Sequence, residues 1–334
     1  MIAAGITLAA LSGLCNGLFS APMKLPMRWK WENIWLVFIV VACLVMPVAI
    51  AYGTAPGWSN WLGQAPAGAL AAALGFGFAW GFGAICFGRS VDRLGVSMAN
   101  SLVIGISSAL GSLVPLILGG SVHPSARIAT LFLGIFAFLA GVALCGAAGR
   151  LRDRSAGQGA VTRAHALGYL FAAASGIMSA VFNIGFTLAL PIVDAGVRAG
   201  NSHFGATNCI WLLMLGAGSI PNIVYCAFLM RKNHTAGLIV TSSGRPWMLS
   251  ILMGLLWGGS IFLYGAAVPR LGDIGPSIGW PLSLAVGLVV ANLMGILLGE
   301  WRTAPAEARS RMRSGIIVLV LAIILCAAST RLAA

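Results

Sequence analysis

Acidic residues are scarce in this chain. Of 334 residues only seven are Asp or Glu, against 20 Lys or Arg, and charged residues of both signs make up 8%. With 59% hydrophobic residues and a mean hydropathy of +0.96, there is too little polar surface to coat a soluble globule, and the chain belongs in a bilayer. The seven acids (Glu32, Asp92, Asp153, Asp194, Asp273, Glu300, Glu307) fall in connections or at the ends of apolar runs, as do the four histidines. No paired carboxylates, metal cluster or nucleophile with its base is therefore set inside the membrane, which excludes the familiar kinds of membrane-embedded enzyme and leaves no evident titratable carrier. No GxxxxGK[ST] loop is present, so a primary pump would need a separate ATP-binding partner. No CxxC pair occurs among the seven cysteines, which read as buried free thiols rather than disulfides or zinc ligands, and no metal or other cofactor is expected. The net charge of +13 does not signal nucleic acid, because the basic residues are spread through short gaps between apolar runs instead of forming one face.

What the chain has in abundance is apolar sequence, and part of it is written twice. Gly77–Gly95 (GFAWGFGAICFGRSVDRLG) recurs 177 positions later as Gly254–Gly272 (GLLWGGSIFLYGAAVPRLG), with eight identities in nineteen ungapped positions. Smaller pieces agree: Ile34–Leu36 recurs as Ile210–Leu212, and Leu144, Cys145 and Arg150 recur as Leu325, Cys326 and Arg331. Such a duplication in apolar sequence implies a repeated bundle of membrane helices.

Ten runs reach spanning length, over 2–22, 32–52, 66–88, 94–118, 127–148, 166–190, 206–230, 246–268, 274–298 and 314–332. The first has no basic segment before it and Lys24, Arg28 and Lys30 after it, so it is expected to remain as a span rather than be cleaved. Sixteen of the 20 Lys and Arg fall in odd-numbered connections, which places those in the cytoplasm and both termini outside. The longest polar break, Gly149–Ala164, follows the fifth run. The expected fold is therefore an all-α integral membrane protein of ten transmembrane helices in two inverted five-helix repeats, 1–149 and 165–334, joined by a cytoplasmic linker over 150–164.

Aligning the first span with the sixth pairs Ser12, Asn16 and Ser20 with Ser175, Ser179 and Asn183. Both sets run i, i+4, i+8, so each lies on one helix face. Two readings stand: hydrogen bonds that pack helices together, and a polar lining for a small hydroxylated solute. Trp80 and Trp257 each sit in a GxxWG segment well inside a span, either as core packing or as faces against which a sugar stacks, with Tyr264, matching Phe87, a further candidate. In the ninth span Pro276 and Pro281 bracket Gly279 and Trp280, which predicts a broken helix exposing Ser277, Trp280 and Ser283, or else a simple kink. For proton coupling the candidates are Asp194, His203 and Asp273, all at span ends. Glu300 and Arg302, flanking Trp301, read as an interfacial anchor.

Ten spans in two inverted halves resemble the drug/metabolite transporter superfamily. More narrowly, Ala21–Trp35 (APMKLPMRWKWENIW), Trp80–Met98 (WGFGAICFGRSVDRLGVSM) and Gly299–Glu300–Trp301 resemble the L-rhamnose–proton symporter family over nearly the whole length. The resemblance implies uptake of a 6-deoxyhexose across the bacterial inner membrane, energised by protons. The expectation is thus an alternating-access secondary transporter for a small neutral polar solute, with a sugar, the proton and the lipid bilayer as partners. Drug or metabolite export, or uncoupled facilitation of another small metabolite, is the alternative.

Overall fold

A computed structural model describes residues 2–25, 28–94, 96–118, 125–155, 163–242, 244–297, 299, 301–330 and 332. Among them every regular element is helical. The main helices are α1 (Ile2–Leu18), α2 (Trp31–Thr54), α3 (Ala67–Leu94), α4 (Val96–Leu118), α5 (Ala126–Ser155), α6 (Arg163–Ala189), α7 (His203–Lys232), α8 (Gly244–Ala267), α9 (Gly275–Leu297) and α10 (Ala306–Ser329). Eight of these are long and apolar enough to cross a bilayer; α1 and the apolar part of α4, Ser101–Ile117, are shorter. The 17 residues of α1 rise only about 26 Å at 1.5 Å each. The chain is an integral membrane protein built from helices.

Local sequence explains where these helices depart from regularity. Pro47 has no N–H to offer the Cys43 carbonyl, and the turn before it, Val41–Val45, is wound as a π turn inside α2. By contrast α9 is continuous from Gly275 to Leu297, so the broken helix expected there does not form. Pro276 falls in the first turn, where backbone donors lack helical partners anyway, and Pro281 alone is absorbed inside the helix. The helix of the fifth run also extends into the polar stretch that follows it. No Gly or Pro interrupts Arg150–Ser155, two arginines favour the negative helix end, and α5 continues through Ser155. Helix resumes at Arg163, and residues 156–162 of the expected linker, like Glu300, lie outside the described residues.

Small residues let the helices approach closely, and the contacts they make are reciprocal. A methyl group at Gly77 would meet the Met214 carbonyl, and one at Gly254 would lie 3.2 Å from the Phe38 carbonyl oxygen. At Gly13 it would meet Ser283 and Val286; at Gly176, Val103 and Ile106. At Gly5 the neighbours are Arg270 and Leu271, and at Gly168 they are Arg93 and Leu94. Finally Gly134 faces the Cys326 sulfur at 2.7 Å and Gly315 faces that of Cys145 at 2.6 Å. Helix pairing follows the same pattern: α1 packs on α8 and α9 while α6 packs on α3 and α4, α7 packs on α3 while α8 packs on α2, and α5 lies along α10.

Candidate functional site

Seven of these helices, α1, α2, α3, α4, α6, α8 and α9, enclose a cavity of about 180 Å³. Its polar wall comes from α1 and α6. Ser12 and Asn16 line it from α1, one helical turn apart, Ser20 lines it from the turn just beyond α1, and Ser175 and Ser179 line it from α6. Ser12 is committed to structure: its Oγ donates to the Ser260 carbonyl at 2.7 Å or shares a proton with Ser283 Oγ at 2.8 Å, tying α1 to α8 and α9. Among the described residues, no hydrogen bond engages the side chains of Asn16, Ser20, Ser175 or Ser179. Four side chains with hydroxyl or amide groups thus face the cavity with bonding capacity to spare.

The apolar wall is aromatic. Trp80 and Trp257 both line the cavity but stack on each other, with ring centroids 5.2 Å apart and planes 14° apart. Trp80 also packs against Phe182, tilted by 42° at 5.0 Å, and Phe38 meets Trp257 edge-on at 5.8 Å. The paired indoles therefore spend one face on one another instead of presenting both faces to a solute. Trp280 and Tyr264 close one end, packed edge to face at 5.4 Å, and the Trp280 Nε1 donates to the Ser107 carbonyl at 3.1 Å.

Asn183, the last of the α6 stripe, stands behind that closed end and is fully buried. Its amide donates to the Gly111 carbonyl at 2.7 Å and the Pro276 carbonyl at 3.4 Å, and its oxygen accepts from the Tyr264 hydroxyl. One side chain thereby fastens α6 to α4, α8 and α9. At the other end the lining residues Phe19, Ser20, Phe87 and Ala291 are partly exposed, so the cavity opens past Ser20.

Ser277 is buried in α9 but does not reach the cavity, whereas its neighbours Trp280 and Ser283 do. The candidates for proton coupling lie elsewhere. Asp194, on the short helix Pro191–Arg198, and His203, at the start of α7, are exposed. Asp273 accepts a hydrogen bond from Arg127 at 2.9 Å, joining the start of α9 to that of α5. Partial burial works to raise the Asp273 carboxyl, but the hydrogen bond and charge of Arg127, with backbone N–H groups at Asp273 and Ile274, outweigh it and hold the carboxyl below its usual range.

Sequence reasoning passed over three contributors. Trp35 and Ser107 line the cavity, and Trp35 donates through Nε1 to the Asn222 oxygen at 3.0 Å. Asn222 in turn donates to the carbonyls of Gly81 and Gly218, both at 3.0 Å, binding α7 to the GxxWG segment of α3. The recurrence of Trp35 as Trp211 within IWL, and an amide beside Pro221 in an apolar run, were the available signals.

Fold and cavity define a multi-pass helical membrane protein with a solute-sized chamber walled by hydroxyls, amides and indoles. A protein of known crystal structure, 16% identical, shares this fold with a TM-score of 0.53 over 95% of this chain and 97% of its own. The chain belongs to the family described as L-rhamnose-proton symport protein (RhaT), whose model matches residues 1–330. It is similar to the L-rhamnose-proton symporters of Salmonella enteritidis PT4 (strain P125109) and Salmonella gallinarum (strain 287/91 / NCTC 13346), each 29% identical over 325 residues, covering 94% of this chain and 93% of the relative. That of Salmonella paratyphi C (strain RKS4594) is 28% identical over the same coverage. A symport family is one of transporters, and the chain is not an enzyme.

Proposed function

We propose that this chain takes up L-rhamnose together with protons across the bacterial inner membrane by alternating access. The observation that carries the reading is the cavity itself: Asn16, Ser20, Ser175 and Ser179 converge on it with uncommitted hydrogen-bonding groups beside an aromatic wall. A 6-deoxyhexose has the matching surface, hydroxyls around the ring and an apolar methyl and C–H face for indoles. The relatives named as L-rhamnose-proton symporters, aligned over nearly the whole chain, support the same substrate and ion.

Ten spans in two inverted halves is the architecture we assign. It is supported by the reciprocal contacts, in which each first-half residue touches a second-half residue whose equivalent returns the contact, as Gly134 to Cys326 and Gly315 to Cys145. In this reading the shorter helices α1 and α4 also span, α1 and α6 are equivalents meeting near the midplane, and the halves rock about the cavity between them. On the bias of the basic residues we assign the end of α1, and with it the mouth beside Ser20, to the cytoplasm, with both termini outside. On this reading the partly exposed end of the cavity faces inward. Ser12, Trp80, Trp257, Tyr264 and Trp280 shape the chamber, while Asn183 and Ser277 sit behind its wall.

Titration of the purified protein with L-rhamnose, read by intrinsic tryptophan fluorescence, tests the site. A saturable change is expected, and its loss when Asn16 and Ser179 are both replaced by Leu. A saturable change that survives the double replacement would move the sugar out of this cavity.

A further inference from the structure

Three arginines stand exposed where α9 gives way to α10: Arg302 in the connection, and Arg309 and Arg313 in the first two turns of α10. Among the described residues no ion pair or hydrogen bond engages their side chains. Of the two acids in this segment, Glu307 is engaged by Arg311 on the same helix at 2.7 Å, and Glu300 lies outside the described residues. The connection is fixed by Trp301, which is buried and carries the Arg152 guanidinium 5.0 Å over its ring.

Arg309 and Arg313 are one helical turn apart, and the same face continues through Ile317, Val320 and Ile324, all exposed. The helix thus carries one strip that is cationic at its start and apolar beyond. Beside it α9, which packs on α10, ends in exposed Leu293, Ile296 and Leu297. The charge is not there for the helix's own sake: Arg309 lies in the first turn, where the macrodipole favours an acid over a cation. A bias of basic residues toward one side of a membrane requires positive charge in the connection. It does not require two unpaired arginines in line with an exposed apolar strip.

We propose that this strip binds an anionic phospholipid, with Arg309 and Arg313 holding the headgroup phosphate, Arg302 beside them, and an acyl chain lying along Ile317, Val320 and Ile324. The depths match. Headgroups occupy about 5–7 Å on each side of the hydrocarbon core, and one helical turn rises about 5.4 Å. Two guanidinium groups one turn apart therefore span the headgroup layer while the isoleucines and valine lie at acyl depth. Guanidinium forks match phosphate oxygens, and the long arginine stems keep the charge among the headgroups while covering apolar surface. Three cations with no acid paired to them favour a headgroup of net negative charge over a zwitterionic one, whose own cation finds no partner on this strip. The site is separate from the chamber, and the proposal does not depend on which solute is carried.

The test uses the full-length protein in phosphatidylcholine vesicles doped with a lipid that carries a photoactivatable acyl chain, either phosphatidylglycerol or phosphatidylcholine. Adducts are located by mass spectrometry of the digested protein. Phosphatidylglycerol is expected to label residues 317–324 about threefold or more above phosphatidylcholine, and this excess should vanish in the double variant Arg309→Gln, Arg313→Gln. The pair Arg309→Lys, Arg313→Lys keeps the charge and should keep most of the excess. Equal labelling by the two lipids in the parent would overturn the proposal. So would an excess spread evenly over the other lipid-facing helices, or one that the glutamine pair leaves intact. If the glutamine variant does not fold, salt decides on the parent alone. Raising it to about 1 M shortens the screening length to about 3 Å and should lower the phosphatidylglycerol excess at least about twofold. An excess that salt does not move contradicts a headgroup held by charge.

Discussion

Tyr264 and Phe87 occupy equivalent places in the duplicated segment and differ by one oxygen. That hydroxyl donates to Asn183 and so helps to close one end of the cavity, whereas Phe87 stands at the open end with no such bond to make. Tyr264→Phe is therefore expected to loosen the closed end. A membrane-impermeant thiol reagent applied from that side should label an Ile261→Cys reporter several-fold faster in the Tyr264→Phe background. The Asp273 carboxylate behaves differently. Because Arg127 and neighbouring N–H groups depress its pKa, the ion pair is intact above the ordinary carboxylate range and is lost only as the pH falls through the depressed value. Between pH 5 and 8, roughly the range of a transport assay, it stays ionised. Asp273→Asn should leave the pH profile of uptake unmoved, although it removes the partner of an Arg127 side chain that is only 12% exposed. Residue roles were legible only in part. The i, i+4, i+8 stripes marked Asn16, Ser20, Ser175 and Ser179 as facing one way, but nothing in the spacing distinguished them from Asn183, whose bonds depend on carbonyls 72 and 93 positions away.

At the scale of elements, helix positions were readable from hydropathy, and irregularities were not. Two prolines suggested a break in α9, yet one fell in the first turn and was harmless. A single proline in α2 accompanies a π turn that composition did not announce. The repeated GxxWG segments were more informative, since their glycines mark where backbones touch. Gly81 is pressed against the Gly218 carbonyl and the Pro221 ring, whereas Gly216, on α7, has nothing within 4 Å of where its Cβ would be. Gly81→Val should push α3 off α7 and cost roughly 1–3 kcal/mol or more. Gly216→Ala should be neutral or stabilising by up to about 1 kcal/mol, as expected for a glycine inside a helix. Melting temperatures of the detergent-solubilised variants distinguish the two.

For the whole molecule, the duplication explains why a chain with so few polar residues can still form a polar chamber. Polar groups come to it from α1 and from α6, and neither helix alone encloses a site. That the chain is a helical membrane protein was legible because its long apolar runs extend through the entire chain and survive local ambiguity. The cavity's asymmetry was not, because one end is closed by Asn183, Tyr264 and Trp280 and the other lies open, a choice made by tertiary contacts. On the proposed function this chamber carries L-rhamnose on a proton gradient. The most direct measurement is uptake of labelled L-rhamnose into proteoliposomes holding only this protein, with a pH gradient imposed and then dissipated by a protonophore. Accumulation above the external concentration that collapses with the protonophore is the expected result. Equilibration without accumulation, or no entry from protein shown to be folded and inserted, would contradict it.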